Sequence, residues 1–275
     1  MQIIQAEGQT CNQFWIYSHY LVAAMEDKKK ITILAPDAAI ENYPNIINQK
    51  FISFPLYNAP LLKLMGHKRR VALLNQTLNN KYTRNILAFF FKIIPRVTYM
   101  EAKMGQFTKT NLHTYKEEIK SIFKPKKEII LSAQSLISEK RLHYDKIIGI
   151  HVRRGDYRTH KNGKFFYTDE QYCSIMNQIE ELFPKDKVGF LVCSNEFLDL
   201  EKLGGNRSFS FQNSSAALDL HGLGLCDYII GPPSSYSCWA SFFGGIPLYF
   251  IANAEDAISL DRFWHEPLLW PPPIA

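Results

Sequence analysis

The five cysteines of this 275-residue chain, Cys11, Cys173, Cys193, Cys226 and Cys238, form no Cys-x-x-Cys pair and have no histidine spacing of the kind zinc requires. A zinc finger or ribbon is thereby excluded, and an odd, scattered set of thiols fits reduced cysteines better than a disulfide framework. Asp-x-Asp is also missing, its nearest form being Asp199-Leu-Glu201. Paired carboxylates of that form hold a divalent ion, so an anionic ligand of this chain would be neutralised by arginines and helix termini instead. No metal site is expected. Long apolar runs are missing too: the greasiest stretch, Ile86 to Ile94, is broken by Lys92 and reaches less than half of a membrane span. The opening Met-Gln-Ile-Ile-Gln-Ala carries no basic leader before a strand-like pattern, which sets a cytoplasmic location as the expectation. Gly222-Leu-Gly224 lacks the third glycine of a dinucleotide fingerprint and reads as helix interior.

With 46% hydrophobic and 21% charged residues, the chain can bury a large core as one big domain or two small ones. Its net charge of +6 suits an anionic partner without choosing among a small ligand, a membrane surface and nucleic acid. A nucleic-acid binder would show a continuous basic stripe with interleaved aromatics, and none stands out, so no nucleic-acid partner is expected. The basic clusters Lys28-Lys29-Lys30, Lys68-Arg69-Arg70 and Lys124/Lys126/Lys127 read first as solvated helix faces, with peripheral attachment to the inner face of a membrane as the alternative.

Strands and helices alternate. Ile3-Ile4, a helix over about 12–26 with Phe14, Ile16, Tyr17, Tyr20, Leu21 and Ala24 on one face, and Ile31 to Ala35 form a βαβ opening. Residues 55–95 read as mostly helical and carry no catalytic spacing. Thr114-Tyr-Lys-Glu117 and Thr168-Asp-Glu-Gln171 have the form of capping boxes, and Pro125 fits the first turn of a helix reaching about Arg141. The linker 143–146 places a domain boundary at 145/146. Beyond it come Ile147 to Ile150, a helix stopping at Pro184, Val188 to Cys193, Ser208 to Phe211, a helix from about Ser215, Tyr228-Ile-Ile, a helix after Ser235 and Ile246 to Ile251. This order implies a parallel sheet covered on both faces. The tail Trp270-Pro-Pro-Pro273 reads as a stiff extended end.

Two constellations carry chemistry. His151-Val-Arg-Arg-Gly-Asp156 follows a buried strand and puts two guanidiniums and a carboxylate at its carboxyl edge, where open α/β sheets bind ligands. Neighbours on an extended backbone point to opposite faces, so Arg153 is assigned to an anion and Arg154 to bracing, with an Arg154–Asp156 pair as the structural alternative. His151 taken alone reads as a core histidine. The second constellation joins Asp219, among apolar neighbours on a helix, to the strand, Pro-Pro-Ser-Ser turn and helix of Asp227 to Ser237. Ser234 and Ser235 either cap that helix or hold an anion at its start. Asp219 must find a donor, from the protein or from the N–H edge of a base such as guanine.

These motifs resemble those of the bacterial α-1,2-fucosyltransferases, glycosyltransferase family 11, and of the wider α-1,6 and protein O-fucosyltransferases. The likeness rests on His151 to Asp156 with its strand, Phe190-Leu-Val-Cys-Ser-Asn195, Asp227 to Trp239, and Glu7-Gly-Gln-Thr-Cys-Asn-Gln13 near the start. Cys11 and Pro232-Pro233 depart from the pattern. The resemblance implies a GT-B-like α/β fold: two Rossmann-like domains whose parallel sheets face a cleft, 1–145 on the acceptor side and 146–275 binding the nucleotide sugar. It implies inverting, metal-independent transfer from GDP-fucose, a substrate and not a cofactor, to a glycan hydroxyl in polysaccharide or oligosaccharide synthesis. Arg153 would hold the β-phosphate, His151 and Asp219 the guanine side, Ser234 or Ser235 the diphosphate, with Arg154 beside them. Glu7 is preferred over Asp156 as the general base. The alternatives are the same architecture with another nucleotide sugar, and a non-catalytic nucleotide- or carbohydrate-binding protein.

Overall fold

A computed structural model of the chain describes residues 2–78, 80–103 and 111–265, so the Trp270-Pro-Pro-Pro273 tail lies outside the described residues. Contacts divide the chain into two units, Met1–Lys126 and Lys127–Ala275. The division precedes the linker-based boundary at 145/146, because the helix before that linker packs on a later helix of the second unit.

In chain order the first unit comprises β1 (Gln2–Ala6), α1 (Thr10–Glu26), β2 (Ile31–Ile33), α2 (Pro44–Ile47), β3 (Ile52–Ser53), α3 (Pro60–Lys63), α4 (His67–Leu78), α5 (Lys81–Ile93), β4 (Thr98–Ala102) and α6 (Lys116–Ile122). Its sheet is parallel, in the order β3-β2-β1-β4. Ile3, Ile4 and Ala6 of β1 are all buried, as both faces of an inner parallel strand must be. The helix read as amphipathic is buried almost all round: Cys11, Trp15 and Val22 join Phe14, Ile16, Tyr17, Leu21 and Ala24. Phe14 meets Tyr43 and Phe123 edge-on, with ring centres 4.7 and 5.0 Å apart. The strands β3 and β4 escape the sequence reading because one has two residues and the other, at the sheet edge, keeps Thr98 and Glu101 exposed with no apolar alternation. Thr114 does not cap α6: the helix starts one residue late for the box, with Tyr115 at the cap position.

The second unit comprises α7 (Lys127–Lys140), β5 (Lys146–Val152), α8 (Asp169–Leu182), β6 (Val188–Ser194), β7 (Ser208–Phe209), α9 (Ala216–Leu223), β8 (Tyr228–Gly231), α10 (Ser235–Gly244) and β9 (Leu248–Phe250). All its ladders are parallel, and the order is β7-β6-β5-β8-β9. The chain builds outward from β5 to β7, then returns to the other side of β5, so the winding reverses at β5. In open α/β sheets a crevice opens at such a reversal, outside the carboxyl ends of the strands. Every residue from Ile147 to Val152 is buried. The Thr168–Gln171 capping box forms in full at the start of α8.

Gly222 and Gly224, whose spacing resembles part of a dinucleotide fingerprint, have a packing role. A Cβ on Gly222 would strike the Phe211 ring, and one on Gly244 of α10 would press into the Gly224 carbonyl at the end of α9. Gly244→Ala is expected to cost about 1–3 kcal/mol by overpacking this helix crossing. Gly66→Ala, at a position with open space, should stay within about 0.5 kcal/mol. Chemical denaturation of the two variants checks this, and equal stability of both would contradict the close crossing.

Candidate functional site

The carboxyl end of β5 opens into a cavity of about 240 Å³ whose wall includes His151, Arg153, Asn195, Ser214, Asp219 and Tyr236. Four elements supply it: β5, the end of β6, the start of α9 and the first turn of α10. It therefore sits where the strand order reverses, ringed by strand ends and helix N-termini.

His151 is fully buried on β5, its Nδ1 2.7 Å from the Ser237 hydroxyl of α10. Burial, then the nearby Arg153, pushes its imidazole down to about 3, so it is neutral at physiological pH. Its ring lies 5.0 Å from that of Tyr236, whose hydroxyl donates to the Ala216 carbonyl at 2.6 Å and so ties the starts of α10 and α9 together.

Arg153 is gripped by Asp156 through Nε at 2.9 Å and a terminal nitrogen at 3.1 Å, and its guanidinium lies 5.7 Å from the Tyr157 ring. The sequence alternative paired Asp156 with Arg154, but Arg154 instead turns away to Asp169 in the first turn of α8. The loop between them is fixed by its backbone. Asn195 accepts from the Arg154 N–H at 3.0 Å, and Glu196 accepts from the Gly155 N–H at 2.9 Å and from Arg158 at 3.0 Å. Gly155 has a positive φ of 29°, and a Cβ there would collide with the Asn195 amide. The Tyr157 hydroxyl donates to the Pro233 carbonyl at 2.7 Å, joining this loop to the turn that starts α10.

Asp219 is buried on α9 and accepts from the Ser214 hydroxyl at 2.7 Å. Burial pushes its carboxyl up to about 6, with the Ser214 hydroxyl pulling the other way. The pair also lines a second cavity of about 700 Å³ that includes Asp199 and Glu201. The Asp199 carboxylate is occupied locally: it pairs with Lys202 at 3.8 Å and accepts from the Glu201 N–H.

His151, Arg153 and Asp219 thus share one cavity wall. Ser234 is the α10 cap and accepts from the Tyr236 N–H at 3.2 Å, which is the capping alternative realised two residues before the wall residue Tyr236. Glu7 belongs to the first unit, where Arg84 at 2.7 Å and Lys103 at 3.5 Å engage its two oxygens. The sequence motifs give no role to Ser214, Tyr157 or Tyr236, and Asn195 enters them only as the end of the Phe190 to Asn195 stretch. Ser214-Ser215 before an apolar helix is a cap signal that would have flagged the first of them; the tyrosines act through hydroxyls whose carbonyl partners only the fold brings near.

Comparison places this architecture. The sequence profile of Glycosyl transferase family 11 matches residues 17–260, and the chain belongs to that family. No curated protein matches it. Among solved structures it is similar to the Bradyrhizobium fucosyltransferase NodZ, at 16% identity over 93% of this chain and 96% of that one, with a TM-score of 0.57. POFUT1 in complex with GDP-fucose is also similar, at 10% identity over 89% and 92% of the chains and a TM-score of 0.51. So is a variant of Arabidopsis thaliana FUT1 in complex with GDP, at 12% identity over 95% and 73%, with a TM-score of 0.53. The fold is the GT-B-like α/β class that the motifs implied.

The raised Asp219 carboxyl has a measurable consequence. An acid whose folded value exceeds its unfolded one keeps its proton longer when folded, so stability falls as pH rises from the ordinary carboxylate range to about 6. Asp219→Asn retains an acceptor for Ser214 without that penalty. Its melting temperature relative to wild type should be higher at about pH 7.5 than at about pH 4.5. An identical difference at both would show that Asp219 ionises as it does in the unfolded chain.

Proposed function

We propose that this protein is an inverting, metal-independent fucosyltransferase that moves fucose from GDP-fucose to a glycan hydroxyl, with α-1,2 linkage as the preferred outcome. The supporting observation is the convergence of Arg153, neutral His151 and Asp219 on one cavity at the switch point of the second unit. Family membership supplies the reaction class. The solved structures of similar fold include complexes with GDP and GDP-fucose, and one is of an α-1,6-fucosyltransferase.

The roles follow from chemistry. A guanine presents two adjacent N–H groups, and the Asp219 carboxylate can accept both, with His151 beside it on the base side. Arg153, oriented by Asp156, sits at the strand end where a β-phosphate would gain charge as the bond to the sugar breaks. The start of α10, with Ser234 and Ser235, faces the same diphosphate with its positive dipole end. Arg154, paired to Asp169, braces the loop. The acceptor oxygen attacks the anomeric carbon opposite the departing GDP; its proton passes to a general base, a contribution of about 10²–10⁴-fold. Glu7 is the preferred base because its loop resembles the one where relatives carry theirs, and its pairing with Arg84 and Lys103 has to open for it to take the proton; Asp156, the alternative, is held as the Arg153 clamp. No cofactor is invoked.

Arg153→Ala is expected to lower donor hydrolysis and transfer by at least about a hundredfold, the scale of one lost transition-state donor. Wild-type turnover in that variant would remove Arg153 from the phosphate. A screen of GDP-sugars with hydrolysis as readout needs no acceptor, and fucose should be the preferred sugar. EDTA should leave the rate unchanged; loss of activity with rescue by manganese would make Asp199 and Glu201 metal ligands.

A further inference from the structure

The first unit carries a helix whose apolar face points outward. On α5, Tyr82, Ile86, Phe89, Phe90 and Ile93 recur at helical steps along one stripe, and all five are exposed, Phe89 at 67% and Ile93 at 64%. The opposite face is the one that anchors α5: Phe91 stacks on Tyr99 of β4 with ring centres 5.7 Å apart, and Arg84 pairs with Glu7. Soluble surface helices have the reverse polarity, and an exposed apolar patch of this kind marks something that covers it.

Charge identifies the covering partner. Residues 42–100 contain no Asp or Glu, yet hold nine of the 32 Lys and Arg: Lys50, Lys63, Lys68, Arg69, Arg70, Lys81, Arg84, Lys92 and Arg96. The rest of the chain has 23 basic residues against 26 acidic ones, so this one segment accounts for more than the whole net charge of +6. Lys81 and Lys92 flank the apolar stripe of α5 and are exposed, as in helices that lie in an interface with lysines reaching to the headgroups. Leu61 and Leu64, more than three-quarters exposed, belong to the same acid-free segment. A second copy of the chain would set two such cationic segments against each other. At 13 residues α5 is too short to span a bilayer, and no helix among the described residues is long and apolar enough to do so.

We propose that α5, with the acid-free segment around it, docks the protein onto an anionic lipid bilayer, laying Tyr82, Ile86, Phe89, Phe90 and Ile93 into the headgroup boundary. The docking is independent of sugar transfer and is read without it. Purified full-length protein is floated with vesicles of phosphatidylcholine alone, or containing about one third phosphatidylglycerol. Binding is expected only to the anionic vesicles and should decline steeply with added salt. Phe89→Glu/Phe90→Glu should weaken it at least about tenfold. Lys81→Glu/Lys92→Glu should weaken it as well, while both variants keep the wild-type melting temperature, as changes at exposed positions should. Wild-type protein that stays off anionic vesicles at low salt would overturn the proposal, as would binding that both double variants leave intact. Concentration-dependent self-association that Phe89→Glu/Phe90→Glu abolishes would also overturn it, by naming a second copy as the cover.

Discussion

The clamp of Asp156 on Arg153 is the constraint on which the site depends. A long guanidinium at a strand end has many rotamers, and an anion site built on it works only if one of them is selected in advance. Asp156 engages two nitrogens at once, and the Tyr157 ring lies alongside. Half of the Asp156 carboxyl surface is open to solvent, so the pair adds at most about 1 kcal/mol to stability. Orientation is therefore its main effect. The same short loop is tied to the end of β6 through Asn195 and Glu196, and to the start of α10 through Tyr157 and Pro233, so arginine and helix N-terminus are held as one piece.

The second unit was legible in the sequence because its signals are local and consistent. An apolar run of Ile147 to Ile150 is a buried parallel strand, Thr168 to Gln171 caps its helix in register, and the motif at 151–156 falls at the strand end. The first unit was less so. Thr114-Tyr-Lys-Glu117 has the same capping pattern as Thr168 to Gln171, but the helix begins at Lys116, out of register with it, and Glu117 pairs with Lys120 instead. The inverted face of α5 has a helical period that says nothing about which side meets the core. Partner choice in the arginine pair was similarly hidden: spacing alone cannot tell that Arg154 reaches Asp169, because that carboxylate arrives from a separate helix.

Charge in this protein is partitioned by task. Near the cavity the cations are few, individually placed and mostly paired: Arg153 with Asp156, Arg154 with Asp169, Arg158 with Glu196. Such pairing gives geometry with little net field. Between residues 42 and 100 the opposite holds, since nine cations share a segment without one acid. An unbalanced surface attracts an extended anionic partner and orients nothing finely. The overall positive charge of the chain therefore belongs mainly to the first unit's helical segment and not to the cavity at the end of β5.

The most direct measurement is titration calorimetry of the full chain with GDP, UDP and CMP, repeated on Asp219→Asn. The account predicts that GDP binds at least about tenfold more tightly than either pyrimidine nucleotide, the discrimination expected when a buried carboxylate loses its donors, and that Asp219→Asn erases the difference. Equal affinity for the three nucleotides in the wild-type protein, or a preference for UDP, would contradict it.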